Sequence, residues 1–364
     1  MEPALPAIDR IKRPTVAVLV PAHNEQEVIE STLRTLLPQL QAGDRLLVVA
    51  DNCTDDTAHL ARAAGAEVVE RSHASDRGKG FALDFGVRYL SRNPPEVLVI
   101  VDADCRVESG SLQRLANLAI TQGRPVQALD LMLPNAAASL KQRLAAWAWR
   151  VKNWARPLGW HRLGWPCQLM GTGMAFPWSI AQGMDLANGH LVEDMKLGAD
   201  LALAGTPPLF CPSARVTSEF PSTAAAQLSQ RKRWEHGHLS VLLSLGPKLL
   251  WRGLRSGNVA VVAMALDLLV PPLALLAVVL SGLWLASLAL VLVAGAAWAA
   301  PLVLATLLVL LFHVTLWHAW QGWGRDLVTA REWLSVSGYM LAKLPIYVGY
   351  IFRRQKAWVR TERK

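Results

Sequence analysis

Apolar positions along this chain follow two regimes: short runs punctuated by polar loops up to about residue 130, and a long unbroken stretch after residue 258. In the first regime Thr15–Val20 predicts a strand ending in Pro21-Ala22-His23-Asn24-Glu25, with a helix following through Leu36. Leu46–Ala50 predicts a second strand ending in Asp51-Asn52, then a helix over Thr54–Ala64 with Thr54 as its N-cap. Ala66–Glu70 reads as a short strand and Gly80–Leu90 as a helix. Val97–Val101, five consecutive aliphatic residues, reads as a strand buried on both faces. Such alternation predicts an α/β fold, a mostly parallel Rossmann-type sheet with helices on both faces. The loops at 21–25, 51–57 and 102–105 each follow a strand and should meet at one sheet edge, the geometry of a nucleotide site.

The second regime is of a different kind. Residues 259–312 contain one acid, Asp267, and neither lysine nor arginine. At about 20 residues per crossing this predicts two transmembrane helices, about 262–285 and 288–313. Pro271-Pro272 and the stretch from Gly295 to Pro301 are candidate kinks or ends. Segment 333–352 is apolar but holds Lys343 and Pro345, and reads as interfacial or re-entrant. Lys248, Arg252 and Arg255 precede the apolar block, and Arg353, Arg354, Lys356, Arg360, Arg363 and Lys364 form a basic tail. Positive flanks on both sides place both in the cytoplasm, which requires an even number of crossings. No apolar segment lies near the N-terminus, so the chain is expected to start in the cytoplasm. The division expected is 1–240 as a cytoplasmic catalytic domain and 241–364 as a membrane region.

Charge sharpens this picture. The 364 residues carry a net charge of +9. The membrane block makes lipid, and not nucleic acid, the expected partner of that excess. From Leu131 to Met184 there is no acid, but there are Lys141, Arg143, Arg150, Lys152, Arg156 and Arg162. Leu140, Leu144, Trp147, Val151, Trp154 and Leu158 fall on one face of a helix over about 139–158. A basic, tryptophan-rich amphipathic helix suits a membrane surface or packs on its own domain, and the pattern permits both. Cys53, Cys105, Cys167 and Cys211 show no paired spacing, as in a reduced cytosolic domain.

Six motifs carry candidate chemistry. Asp102-Ala103-Asp104 follows the most apolar strand and sets two carboxylates on the same side of an extended backbone. Two oxygen ligands at a strand end suit Mg²⁺ or Mn²⁺ carrying a diphosphate. Asn24, Glu25 and Asp51 can accept hydrogen bonds from a base and a ribose; equally, Asn24 can cap the next helix and Asp51 can close a turn. Lys79 between Gly78 and Gly80 can contact a diphosphate or sit in a solvated turn. Glu193-Asp194 opens a helical stretch over Met195–Ala204, where acids favour the dipole and where one can act as general base. Gly171-Thr172-Gly173 makes either a plain turn or room for close approach. In Gln230-Arg231-Lys232-Arg233-Trp234, the cations can flank a membrane or clamp a leaving diphosphate, with Trp234 flooring an acceptor subsite. There is no Gly-x-Gly-x-x-Gly and no Walker loop.

Taken in order, these motifs resemble those of the membrane-bound inverting family 2 glycosyltransferases, the branch with cellulose, hyaluronan and chitin-oligosaccharide synthases. The shared pattern is Pro21 to Glu25, Asp51, Asp102/Asp104, Gly171 to Gly173, Glu193-Asp194 and Gln230/Arg233/Trp234, over about 15–240. The resemblance implies a GT-A-like nucleotide-sugar-binding domain followed by interfacial helices and a small transmembrane region. It implies that Pro21, Asn24, Glu25 and Asp51 line the nucleoside site, usually for uridine, with Lys79 near the diphosphate. Asp102 would contact nucleotide or ribose and join Asp104 at the metal. Asp194 would deprotonate the acceptor hydroxyl. Gly171, Thr172, Gly173, Glu193, Gln230 and Trp234 would face the acceptor, with Arg233 on the diphosphate. The activity implied is inverting transfer from a UDP-sugar to a lipid-linked or growing glycan at a bacterial inner membrane, with polysaccharide synthesis or export proteins as candidate partners. Synthases of this branch carry membrane helices before the catalytic domain, and two crossings do not enclose a polymer channel. A polyprenyl-phosphate glycosyltransferase and a nucleotide-binding pseudo-enzyme scaffold are the competing expectations.

Overall fold

The computed structural model describes residues 13–135, 137–187, 192–221, 223–333 and 335–352. The basic tail expected at 353–364 lies outside the described residues. One eight-stranded sheet organises the first part of the chain. Its strands are β1 (Val16–Ala22), β2 (Arg45–Asp51), β3 (Glu67–Arg71), β4 (Val97–Ile100), β5 (Arg106–Val107), β6 (Val126–Leu133), β7 (Met174–Pro177) and β8 (Leu209–Glu219). The order across the sheet is β3-β2-β1-β4-β7-β6-β8-β5. The strands β3, β2, β1 and β4 are mutually parallel, while β7 runs antiparallel to both β4 and β6.

The sequence dictates this arrangement locally. In β1, Val16, Val18 and Val20 face one side, where they join Val97, Val99, Ile29, Leu33 and Leu112. Ala17 and Leu19 face the other and meet Leu98, Ile100, Leu83 and Leu90. Because successive side chains point to opposite faces, a continuous apolar run fills two cores at once. Strand order turns back between β1 and β4, a switch point that leaves a crevice beyond their carboxyl ends. The loops carrying Asn24 and Asp104 open there. Farther across, β6 and β8 slip register between Ala128 and Leu129, where β8 carries Pro212.

Several local expectations are corrected. The second helix spans Thr57–Ala63 and is not capped by Thr54; the Asp55 carboxylate accepts from the Thr57 N–H (3.1 Å). The basic segment forms a helix over Leu140–Arg150, one π turn over Val151–Ala155, and a further helix over Arg156–Arg162. It begins with a capping box between Ser139 and Gln142. It packs inside the protein: Leu144 and Trp147 are buried with Leu316 and Trp320. Its cations meet acids from the C-terminal part, Arg143 with Glu332 (2.5 Å) and Arg150 with Asp326 (2.7 Å).

The apolar block divides later than the 262–285 and 288–313 expected. A short helix, Val259–Leu268, ends before Pro271-Pro272. Two long helices then run over Leu273–Ala294 and Ala299–Trp323, broken by Gly295 at φ 81°. Proline cannot donate to the preceding turn, and glycine adopts the conformation that ends one, so these residues set the boundaries. The two stretches, of mean hydropathy 2.5 and 2.3, are long and apolar enough to cross a membrane. The short helix belongs instead to the sheet domain, since Val261, Met264 and Ala265 pack on Ala199 and Ala202. Its Asp267 is tied down by the Trp160 indole N–H (2.8 Å), the Gln168 amide (2.7 Å) and Arg156 (2.8 Å). Segment 333–352 is split between Val336–Leu341 and Leu344–Phe352, each too short to cross. The latter rests on helix Ala224–Ser244, where Lys343 (2.6 Å) and the Tyr347 hydroxyl (3.3 Å) both donate to Glu235.

Gly173, just before β7, has φ +63°, and a Cβ there would lie 2.8 Å from both Ala128 Cβ and Val216 Cγ2. We expect Gly173→Ala to lower folding stability by roughly 1–3 kcal/mol through backbone strain and overpacking. A thermal melt beside wild type measures this; an unchanged midpoint would show that the two neighbours move aside freely.

Candidate active site

The crevice at the switch point is a cleft of about 930 Å³. It gathers every residue to which the resemblance gave a role except Gly173. Pro21, Asn24 and Glu25 enter from the end of β1, Asp51 from β2, and Asp102 and Asp104 from the end of β4. Lys79 opens the helix Lys79–Leu90, Gly171 and Thr172 precede β7, and Glu193 and Asp194 form the first turn of helix Glu193–Leu203. Gln230, Arg233 and Trp234 project from helix Ala224–Ser244. Gly173 is a packing residue: its carbonyl accepts from the Ala128 N–H (2.8 Å), and it does not line the cleft.

Lys79 is the centre of the arrangement. Its ammonium donates to the Gly171 carbonyl (2.7 Å) and is ion-paired with Asp102. Gly171 has φ +93°, and a Cβ on it would lie 3.3 Å from Asp194 Oδ2 and 3.7 Å from Lys79 Nζ. Asp102 and Asp194 thus face one another across a single lysine, although 92 positions separate them in sequence. Burial works to lower the pKa of Lys79, but the charges of Asp102, Glu193 and Asp194 hold it above the ordinary lysine value. The acids respond to the same crowding. Burial pushes Glu193 up to about 7, with Lys79 opposing the rise and Asp194 adding to it. Burial likewise raises Asp194, against the Met195 N–H and the charges of Lys152 and Lys79.

Asp102 and Asp104 share a cluster with Cys105 in which the candidate ligand atoms lie within 4.8 Å of one another. Burial raises the Cys105 thiol well above its usual range, so it stays protonated, and it accepts a hydrogen bond from the Thr172 hydroxyl (3.4 Å). That leaves two carboxylates as donors, a set that fits a hard cation such as Mg²⁺ or Mn²⁺ better than zinc. Thr172 braces this loop through its hydroxyl, which also accepts from the Asp102 N–H (3.1 Å).

The other readings left open by the sequence separate here. Asn24 does not cap the following helix, which starts at Ile29. It adopts φ +55°, and its amide oxygen accepts from the Thr54 N–H (2.7 Å), joining the first loop to the second. Asp51 pairs with Arg71 (2.6 Å), which also donates to the Asp76 carbonyl (2.8 Å) and so fixes the loop leading to Lys79. Arg233 lines the cleft while Arg231 does not, so the three-cation run divides between two sides of its helix.

Sequence reasoning missed the floor of the cleft. Lys152, Asn153 and Arg156 project from the π turn and its continuation, and Asp130 lies below them on β6. The Asn153 amide donates to Asp130 (3.0 Å), and burial, reinforced by the charge of Asp102, pushes Asp130 up to about 7. Burial lowers Lys152, against the attraction of Asp194. A π turn shifts the facing of later residues relative to an α-helix, so Lys152, on a helix whose pattern permitted both a membrane surface and a packed face, turns inward. The acid-free run from Leu131 to Met184 was the one signal available.

Comparison with known proteins places this geometry. Residues 14–237, more than half of the chain, match the family described as glycosyltransferase like family 2. A probable glycosyltransferase of Bacillus subtilis, YdaM, is 28% identical over 246 residues, covering 63% of this chain and 56% of that protein. An uncharacterized glycosyltransferase of Mycobacterium tuberculosis is 36% identical over 121 residues, covering 31% of this chain and 51% of that protein. The matched parts thus span little more than half the length of these curated relatives. Among solved structures, the mannosyltransferase PcManGT of Pyrobaculum calidifontis, in complex with GDP-Man and Mn²⁺, superposes with a TM-score of 0.51 at 17% identity. That match covers 94% of this chain and 89% of the other, a likeness of fold. The GT-A type of α/β fold with C-terminal helices, expected from the sequence, is borne out.

One consequence concerns charge alone. Removing the cation in Lys79→Met takes away what opposes burial at Glu193, so the titration of Glu193 should move above 7. Carbon-13 NMR of glutamate-labelled protein reads it, with Glu193→Gln to assign the signal; a downward or absent shift would show that Lys79 does not bear on Glu193.

Proposed function

This chain belongs to the glycosyltransferase like family 2, and on that premise we propose that it is a membrane-anchored, inverting enzyme of the cellulose and hyaluronan synthase-like branch. It moves a sugar from a nucleotide donor, taken to be a UDP-sugar, to a hydroxyl of a lipid-linked or growing glycan at the cytoplasmic face of a bacterial inner membrane. The observation that carries this reading is the convergence of Asp102 and Asp194 on Lys79 within one cleft. Two long apolar helices, almost wholly exposed along their most apolar windows, support the anchor.

In this reading Asn24, Glu25 and Asp51 border the nucleoside, with their loops held by Thr54 and Arg71. Lys79 and Arg233 lie along the diphosphate. Asp102 and Asp104 would hold a divalent cation, which when bound offsets negative charge on the departing diphosphate. Asp194 accepts the proton of the acceptor hydroxyl. That oxygen forms a bond to the anomeric carbon from the face opposite the diphosphate. The bond from that carbon to the diphosphate oxygen breaks, its electron pair leaves with the nucleotide, and the configuration inverts. Lys79 and Arg233 supply positive charge at the leaving group before the reaction starts, so little reorganisation is needed. Burial lowers Arg233, against Glu193, Asp102 and Asp194, and its guanidinium stays charged throughout.

The base assignment has a direct test. Asp194→Asn should reduce transfer by about 10²–10⁴-fold while UDP affinity, measured by calorimetry, stays close to wild type. Near-normal turnover would end the assignment. A base works unprotonated, so the rate should rise with pH, and because burial raises Asp194 the acid limb should lie above the ordinary carboxylate range near about 4. That limb should persist in Glu193→Gln; its disappearance would move the role to Glu193. Asp104→Ala should lose Mn²⁺ binding, read by electron paramagnetic resonance with UDP present, and retained stoichiometric binding would remove Asp104 from the ligand set.

A further inference from the structure

A second cavity, of about 170 Å³, adjoins the cleft. Trp149, Lys152, Arg156, Gln230, Trp234 and His238 line both spaces, so the two adjoin across a shared wall. Beyond them the side chamber is bounded by Arg231, Lys343, Tyr339 and Phe220, and it reaches Pro271, Pro272 and Leu273. Leu273 is the first residue of the first long apolar helix. A molecule occupying both spaces therefore has one end in the cleft and the other at the start of an apolar helix.

The chamber is cationic. Four positive side chains, those of Lys152, Arg156, Arg231 and Lys343, line it against one acid, Glu235. Arg156 is matched to Asp267 and Lys343 to Glu235. Lys152 and Arg231 have no carboxylate at ion-pair distance among the described residues, and lie instead over the rings of Trp149 (5.5 Å) and Tyr339 (5.8 Å). Two unmatched cations beside an apolar exit suit an anion carried on a lipid. The shared wall holds Trp149 and Trp234 with ring centroids 4.7 Å apart, an aromatic surface of the kind on which the C–H face of a sugar packs. His238, also in the shared wall, has a buried Nε2 without a partner among the described residues, and burial with the charges of Lys152 and Arg156 pushes it down to about 3, so it is a neutral acceptor for a hydroxyl. Arg231 and Lys343 line only the chamber, while Asp102 and Asp194 line only the cleft. A ligand spanning both spaces would therefore carry its anionic part and its reacting part at different ends.

Building on the function proposed above, we infer that the acceptor is a sugar joined to a lipid through a phosphate or diphosphate. Its phosphoryl linker lies in the side chamber between Lys152 and Arg231, its sugar passes Trp149 and Trp234 into the cleft, and its tail leaves along Leu273. A bare lipid phosphate would put its only nucleophilic oxygen in the chamber, away from Asp194.

The test is binding by the full chain in phosphatidylcholine nanodiscs, with saturating UDP and Mn²⁺ to fill the donor site and empty nanodiscs as control. Farnesyl diphosphate is the probe. It should bind at least tenfold more tightly than inorganic pyrophosphate and than farnesol. Arg231→Gln should weaken it roughly tenfold, the loss of one charge-assisted contact, and Ala148→Leu, which fills the chamber from its apolar wall, should weaken it as well. Equal affinity for pyrophosphate would mean a free-anion site, equal affinity for farnesol a merely greasy one, and normal binding by both variants a different location; each overturns the inference. UDP binding is read in the same samples. Its absence counts against the nucleotide-sugar reading alone, because the farnesyl diphosphate comparison stands without it.

Discussion

Four carboxylates share one cleft, and the structure depends on how their mutual repulsion is offset. Asp102, Asp104, Glu193 and Asp194 come from different parts of the chain and face the same space. Burial raises Glu193 and Asp194, and the cations beside them oppose that rise. Lys79 sits between the two sides of this group, anchored by the Gly171 carbonyl. Lys152 and Arg233 face it from the π turn and from helix Ala224–Ser244. The balance is incomplete, which leaves Glu193 near about 7 and Asp194 raised. An acid poised in this way is still basic enough to take a proton when a hydroxyl is presented to it.

Each cation is held by something rigid. Lys79 begins a helix whose buried face packs on β1 and β2, and the loop before it is fixed by Arg71 and Asp51. Lys152 is turned inward by the π turn. Arg233 lies on a 21-residue helix whose far side is joined to the C-terminal segment through Glu235, Lys343 and Tyr347. The sheet sets the strand-end acids and the helices set the counter-charges, so a shift of either would unbalance the site.

The apolar C-terminal part is not a passive appendage. Asp267, the one acid in its stretch, is committed to Arg156, Trp160 and Gln168 of the catalytic domain. The short helix carrying it packs on Glu193–Leu203, the helix that presents the candidate base. The site is therefore braced from the side of the apolar helices, and the cationic chamber reaches Leu273 on that same side.

Much of this was legible in the chain itself. Continuous aliphatic runs specify strands buried on both faces, and polar residues directly after them specify where a site opens; these depend on neighbouring residues alone. Asp102-Ala103-Asp104, Glu193-Asp194 and Gln230 to Trp234 could be named on that basis, as could an apolar block too long for one soluble helix. What the sequence left undecided were matters of long-range packing. Gly173 looked like part of a binding loop and proved to be a contact between β6, β7 and β8, because its missing Cβ matters only once Ala128 and Val216 are beside it. The tryptophan-rich basic helix suited a membrane surface equally well until Glu332, Asp326 and Asp267 arrived from far along the chain to take its charges. Lys152 gave no sign of facing the site, since a single π turn leaves no mark in composition yet redirects every later side chain. Residue types and their local order determined which chemistry was present; only the tertiary structure decided which charges oppose one another, because an ion's energy depends on its distance to the others and its depth in the protein, and neither is written between sequence neighbours.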